Sequence, residues 1–253
     1  MTDAEHAAPD PIPPIDPNLM LGAYSVGVFP MADGRDTDEV YWVEPTERAI
    51  LPLDGFHLSR SLRKKLVADR FRVTADHAFT RILALCAQSD ASRPDTWINP
   101  PIERVTNQLH QLGFAHSIEV WDGDALVGGL YGIALGRAFF GESMVSRARD
   151  ASKVAMAWLV ARLRVGGYTL LDCQFLTDHL ASLGAIEISR ADYLSALSSS
   201  ISGAVGSGAS SSGVGDFFAL DRGASLAWGS PPPAIEFGPP TGKVIAQLLT
   251  QTS

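Results

Sequence analysis

The chain has 253 residues, 46% of them apolar and 19% charged, and a formal net charge of −8. That is enough chain for one large domain or two small ones around a buried core. The acidic balance excludes a general polyanion binder, so any nucleic-acid contact has to come from a local basic patch.

The N-terminal run "MTDAEHAAPDPIPPIDP" is acidic and Pro-rich, with neither a basic n-region nor an apolar h-region. It reads as an extended leader over 1–17, not as a signal peptide. No window approaches eighteen uncharged apolar residues, so no transmembrane helix and no membrane contact are expected. Two cysteines, Cys86 and Cys173, are too few for a disulfide framework and fit a reduced, cytoplasmic setting.

Helical spacing begins at "NLMLGAYSVGVF", residues 18–29, with Asn18 as N-cap. "YWVEPTERAILPL" reads as a strand broken at Pro45, "HLSRSLRKKLVADR" as a basic amphipathic helix, and "FRVTAD" as a short strand. "HAFTRILALCAQ" and "NPPIERVTNQLHQLG" are helices, the second closed by Gly113. Three strands follow, "HSIEVWD", "ALVGGLYGIAL" and "RAFFGESM", with Gly123 and Gly136 at their turns, the mark of an antiparallel meander. Then come a helix over 150–164, the strand "YTLLDCQ", a short helix over 178–183, the strand "AIEIS" and the helix "RADYLSALSSS". From residue 198 on, Ser, Gly and Pro dominate, a composition that buries little and orders poorly, with one short helical pattern at "KVIAQLL".

This order predicts an α+β protein. A small N-terminal α/β domain with the basic helix spans 18–90, an acyltransferase-like (GNAT-type) mixed-sheet domain spans 91–197, and the tail spans 198–253.

Four groups of residues could carry chemistry. In "GESMVSRARDASK" the carboxylate Glu142 ends a strand, and Arg147, Arg149 and Lys153 crowd the start of the next helix. Free N–H groups there and the arginines suit a phosphate; a solvated turn with Asp150 as an ordinary N-cap is the other reading. In "LLDCQ" a strand period of two puts Asp172 and Gln174 on one face, where an acid and an amide can accept a proton and steady an oxyanion. A turn-initiating Asp explains the same letters. His116 and Glu119 stand at odd spacing in a strand and make no recognised metal pattern, so no metal is expected. The cations of the basic helix would ordinarily be a solvated face, and Gly128 and Gly129 mark a bulge or a close approach.

Taken together, "LGAYSVGVFP", "HLSRSLRKKL", "TWINPPIERVTNQLHQLGFAHSIEVWDGDALVGGLYGIALGRAFFGESM", "ASKVA", "LLDCQ" and "HLASLGA" closely resemble the leucyl/phenylalanyl-tRNA–protein transferase family, from about Leu19 to Leu197. The resemblance implies transfer of Leu or Phe, with Met a further donor, from aminoacyl-tRNA to a protein whose first residue is Arg or Lys, marking it for N-degron degradation. It implies a monomer working without cofactor or metal, since the ester already carries the activation. By the same resemblance Asp172, Gln174 and Glu142 are catalytic, with Asp172 orienting or deprotonating the acceptor amine and Glu142 facing the acceptor's cationic first residue. Leu130, Met144, Met156, Leu159, Leu163 and Leu171 would line the aminoacyl pocket, and Trp97 would stack on the terminal adenine. Arg60, Arg63, Lys64, Lys65, Arg147 and Lys153 would hold tRNA phosphates.

The chain departs from the family where it has "FPM" for FPW, "YWVEPTER" for WWSPxPR and Val145 for an aromatic. These changes fall on the donor-tRNA face more than on the Asp/Gln/Glu set. An acyl-CoA-dependent N-acetyltransferase is the rival enzyme, but "SRARDASK" lacks the glycines of a pyrophosphate loop. A non-catalytic tRNA- or peptide-binding module is the other alternative.

Overall fold

A computed structural model describes residues 14–88, 96–202, 214–223 and 240–251. Strands β1 (Phe29–Met31) and β2 (Tyr41–Val43) form a small antiparallel pair. The main sheet has seven strands: β3 (Glu47–Ile50), β4 (Arg72–Ala75), β5 (Ala115–Asp122), β6 (Ala125–Leu135), β7 (Ala138–Ser146), β8 (Leu170–Gln174) and β9 (Ile186–Ser189). Their order across the sheet is β4-β5-β6-β7-β8-β3-β9, and every neighbouring pair is antiparallel except β7–β8. The expected α+β architecture with a mixed sheet is therefore present. The sheet runs across residue 90, because β3 and β4 come from the segment read as the N-terminal domain.

The helices are α1 (Pro17–Ser25), α2 (Arg60–Val67), α3 (Phe79–Cys86), α4 (Pro100–Gln111), α5 (Ala151–Val165), α6 (Asp178–Ala181), α7 (Arg190–Ile201) and α8 (Gly242–Thr250). Short polar side chains start most of them: Ser59, Asn99, Thr177, Ser189 and Thr241 each take an N–H of the first turn. The cap of α1 lies two residues before the predicted one. Pro17 is already pre-set for the first helical position, so Asp16 does the capping and accepts from the Asn18 N–H at 2.7 Å.

Two cores lie on opposite faces of the sheet. One joins α2, α5 and α8 to Ile118, Val120, Leu130 and Phe139. The other joins α1, α3, α4 and α7 to Tyr131, Ile133 and Phe140. Gly128 and Gly129 permit both: a Cβ on Gly128 would stand 2.6 Å from that of Ala151, and one on Gly129 would stand 2.4 Å from Ile82 Cδ1. Helix approach explains these glycines without a ligand. Among the described residues, no helix is long and apolar enough to cross a membrane.

Two stretches of the Ser/Gly/Pro-rich tail depart from the expected poor packing. Phe217 is buried and stacks on His116 at 4.2 Å, while the buried Arg162 holds the Phe217 carbonyl (2.8 Å) and pairs with Asp221. In α8, Ile245, Ala246 and Leu249 close the first core against α2 and α5. The average composition hides these two short apolar clusters, each of which gains about 1.5–3 kcal/mol per large side chain buried. Ile245→Ala will accordingly lower unfolding stability by about 2–5 kcal/mol in chemical denaturation, a loss no peripheral tail would cause.

Candidate active site

β7 and β8 run side by side only over Ala138–Phe140 and Leu170–Asp172, after which β7 continues to Ser146 without β8. Each strand carries an irregularity where they part. On β7, Ser143 opposes Tyr131 and Gly141 opposes Gly132, so Glu142 is the extra residue of a bulge. On β8, Asp172 opposes Ile50 and Gln174 opposes Ala49, which makes Cys173 the extra residue. Bulges re-aim side chains, and these two turn Glu142 and Gln174 toward each other: the Gln174 Nε2 donates to Glu142 Oε1 at 3.0 Å.

Gln174 is held in place by strain and by Asp172. Its backbone has φ +55°, a left-handed conformation that a residue other than glycine seldom adopts. Its N–H donates to Asp172 Oδ1 at 2.8 Å. The same carboxylate accepts from Arg48 Nε (2.9 Å), Arg48 Nη2 (2.6 Å) and the Tyr193 hydroxyl (2.8 Å). These four bonds fill the acceptor capacity of a carboxylate, and Asp172 is 0% exposed. It has no site left for an incoming amine and reaches the cleft only through Gln174.

Arg48 completes this centre. It is buried, donates Nη1 to the Gly27 carbonyl (2.8 Å), and lies over the rings of Phe29 and Tyr193 at 4.5 and 4.6 Å. Burial works against its charge, yet the bonds and charge of Asp172 raise its pKa above the usual value. Glu142 has the opposite fate. Burial pushes its carboxyl up to about 8; the negative charge of Asp172 adds to this, while Tyr24, Arg48 and Gln174 oppose it. Sequence reasoning missed Arg48, Tyr193 and Tyr24. An arginine inside the apolar strand "ERAILPL" was the one available signal.

The remaining predicted residues scatter. Leu130, Met156, Leu159, Leu163 and Leu171 are buried in the first core, each 3% exposed or less, and Met144 is partly buried against it. Apolar spacing cannot tell a pocket wall from a core, and burial without a bound donor does not separate the two. On the first face, Arg60, Arg63 and Lys64 are exposed along α2, and Lys65 pairs with Asp150, bringing α2 to the cationic turn before α5. Asp150 has φ +68° and its side chain caps no N–H of α5, while Ser146 Oγ takes the Ser152 N–H at 3.2 Å. Arg147 donates to Gln88, and Lys153 is half-buried in the first turn of α5. Trp97 is partly buried against the second core, on the other face of the sheet from the one α2 packs on.

His116 bonds Asp76 at 2.7 Å, and Glu119 accepts from Thr74, Ser117 and two backbone N–H groups. A cavity of about 630 Å³ opens at the β4 edge among Arg72, His77, Arg81 and Trp121. None of the predicted site residues lines it.

The family model described as leucyl/phenylalanyl-tRNA protein transferase matches residues 50–198, and the model of that family's N-terminal domain matches 14–46. A leucyl/phenylalanyl-tRNA–protein transferase of Rhizorhabdus wittichii is 57% identical over 249 residues, 94% of this chain and 99% of its own. One from Zymomonas mobilis is 65% identical over 188 residues, 74% of this chain and 70% of its own. Among solved structures, L-PGS from Bacillus licheniformis aligns with 67% of this chain and 56% of its own, at TM-score 0.37 and 13% identity, too slight a likeness to carry an argument.

Two outcomes follow from the geometry. Asp172→Asn leaves Arg48 buried beside a neutral partner, so it will cost about 3–5 kcal/mol of stability, read as a lowered denaturation midpoint. Between its ordinary value of 4.5 and about 8, Glu142 keeps a proton that the unfolded chain has released. Stability therefore falls as pH rises through that window. Glu142→Gln removes this part of the decline, so its melting temperature will exceed that of the parent by a few degrees at pH 8.5 and match it near pH 4.5.

Proposed function

We propose a division of labour in the cleft on one premise: the chain belongs to the leucyl/phenylalanyl-tRNA–protein transferase family. It is an aminoacyltransferase that moves Leu or Phe from aminoacyl-tRNA to protein. The acceptor's α-amine attacks the ester carbonyl, the C–N bond forms, and the bond to the terminal ribose oxygen breaks. The proton lost by the amine ends on that departing oxygen. A free α-amine has a pKa of about 7.7–8.0, so alignment matters more than a strong base.

Glu142 faces the cationic first residue of the acceptor, an Arg or Lys, and its carboxyl gives up its proton as that cation arrives. Gln174 holds the amine and the tetrahedral intermediate with its amide. Asp172 acts as the organiser of Gln174, not as the base. The observation that carries this reading is the facing pair of bulges: an acid and a strained amide 3.0 Å apart at the mouth of the splayed strands, with an ion pair beneath. Exposed cations on α2 and the turn before α5 supply a phosphate track on the same face, while the donor side chain enters beside Met144.

The reading is tested by transfer from Leu-tRNA or Phe-tRNA to two peptides differing only in an N-terminal Arg or Ala. Label will appear on the Arg peptide, and Glu142→Gln will cut that label at least tenfold, the scale of a missing charge-assisted hydrogen bond of about 1.5–3 kcal/mol. Equal labelling of both peptides would remove the acceptor role of Glu142, and acetyl transfer from acetyl-CoA instead would point to the rival chemistry. tRNA binding will weaken steeply with salt, and Arg63→Ala with Lys64→Ala will reduce the slope by about 1 for each phosphate no longer held.

A further inference from the structure

Edge strand β4 runs into a turn that is fixed from beneath. Asp76, the residue after the strand, has φ +56°, a left-handed conformation unusual for a residue other than glycine. Its carboxylate accepts from the Ser117 N–H and from His116 Nδ1, each at 2.7 Å. The N–H groups of His77 and Ala78 both donate to Glu119, at 3.3 Å. Glu119 is 0% exposed and also accepts from the hydroxyls of Thr74 and Ser117.

The same support reaches Trp121. Its Nε1–H donates to Thr74 Oγ1 at 2.8 Å, which holds the indole in one orientation. Two guanidinium groups converge on that ring. Arg72, directly across the strand pair, lies 4.9 Å from the ring centre, and Arg81, from α3, lies 5.3 Å from it. Cations favour an aromatic face, but two like charges on one ring repel each other. Among the described residues neither arginine pairs with a carboxylate. Asp122, next to Trp121 in the chain, is held by Arg70 through two bonds of 2.6 Å, and Asp76 is engaged as above.

These arginines, Trp121, His77, Phe79 and His110 line the cavity of about 630 Å³ at the β4 edge. His110 lies flat on Phe79, at 4.0 Å and 5°, and its Nδ1 donates to the Ala115 carbonyl at 2.8 Å. The cavity thus joins a fixed aromatic stack to a pair of cations that lack a counter-charge. Its volume is in the range of sites for ring-bearing ligands and exceeds what a lone phosphate needs. A ligand with a phosphate and a flat ring answers both features.

We propose that this cavity is a nucleotide-binding subsite, in which Arg72 and Arg81 hold the phosphate and the His110 ring, backed by Phe79, takes the base. β4 stands three strands from β7 in the sheet, about 14 Å at about 4.8 Å per strand. The nucleotide held here is therefore not the one whose ester reacts beside Glu142. It is either an unpaired nucleotide elsewhere in the donor tRNA or a free nucleotide. The site does not depend on the roles given above to Glu142 and Gln174.

The test uses the full chain labelled with ¹⁵N. The indole N–H signal of Trp121, assigned by its loss in Trp121→Phe, is followed as AMP is added, with adenosine and inorganic phosphate titrated in parallel. AMP will shift that signal saturably, and either part alone will bind at least tenfold more weakly. Arg72→Gln with Arg81→Gln will weaken AMP at least tenfold, the scale of one lost hydrogen bond to a charged group. Both arginines are exposed, so the double variant will keep the parent's melting temperature.

Deacylated tRNA separates the two sources. For a tRNA nucleotide, tRNA displaces AMP, and the double variant binds tRNA at least tenfold more weakly, with a salt slope reduced by about 1 for each phosphate released. For a free nucleotide, tRNA leaves the AMP shift in place and binds both proteins equally. An unmoved Trp121 signal would overturn the proposal, as would an AMP shift that survives in the double variant. Phosphate binding as tightly as AMP would overturn the nucleotide reading, since the ring would then go unread.

Discussion

The Arg48–Asp172 ion pair is the constraint on which the cleft depends. Bringing two charges out of water costs several kcal/mol per ion, and attraction offsets this only where the geometry is good and the remaining bonds are made. Here they are made: two bonds between the pair, one from Tyr193, one from the Gln174 backbone, and one to the Gly27 carbonyl. The pair thereby ties β3, β8, α7 and the turn after α1 at one buried point. Such a centre contributes little net stability over an apolar one, but it tolerates few arrangements of its neighbours. What it specifies is the direction of Gln174.

The opening beside it comes from the sheet itself. Parallel strands β7 and β8 stop pairing after three residues, and backbone groups freed there still need partners. The Gln174 N–H finds Asp172, and the Phe175 N–H turns back to the Cys173 carbonyl at 2.7 Å. Gly141, at the point of divergence, has no side chain to meet the Asp172 carbonyl, which would lie 3.4 Å from a Cβ. A cleft built by ending a ladder in this way can be polar, since its walls are satisfied before any substrate enters.

Much of this was legible in the sequence, and the rest was not for physical reasons. Caps, turn glycines and the two periodicities are local, so the element order from β3 to α7 could be read to within a few residues, whereas the helical reading over 18–29 ran past the end of α1 at Ser25 and missed β1. Asp172 and Gln174 share a strand, so their association was visible too. Their separation into an organiser and a cleft-facing amide depends on the bulge at Cys173 and on Arg48, which lies 124 residues away. Nothing local encodes that pairing. The apolar residues assigned to a pocket show the converse limit, because the same buried stripe serves a wall as well as a core and its spacing carries no mark of which. Phe217 and α8 show how a segment's average composition conceals short apolar stretches that a large core can capture.

Strand β3 sits between β8 and β9, although it precedes both by well over a hundred residues. During synthesis it therefore leaves the ribosome with neither neighbour in existence. Arg48 cannot be neutralised until Asp172 has been made, and Tyr193 follows later still. The meander β5–β7 can form early from local contacts, whereas insertion of β3 has to wait for long loop closures. A chain of this topology gains the geometry of its cleft only after Tyr193 has been made. An unfinished copy thus holds Arg48 without its counter-charge and leaves the direction of Gln174 unset.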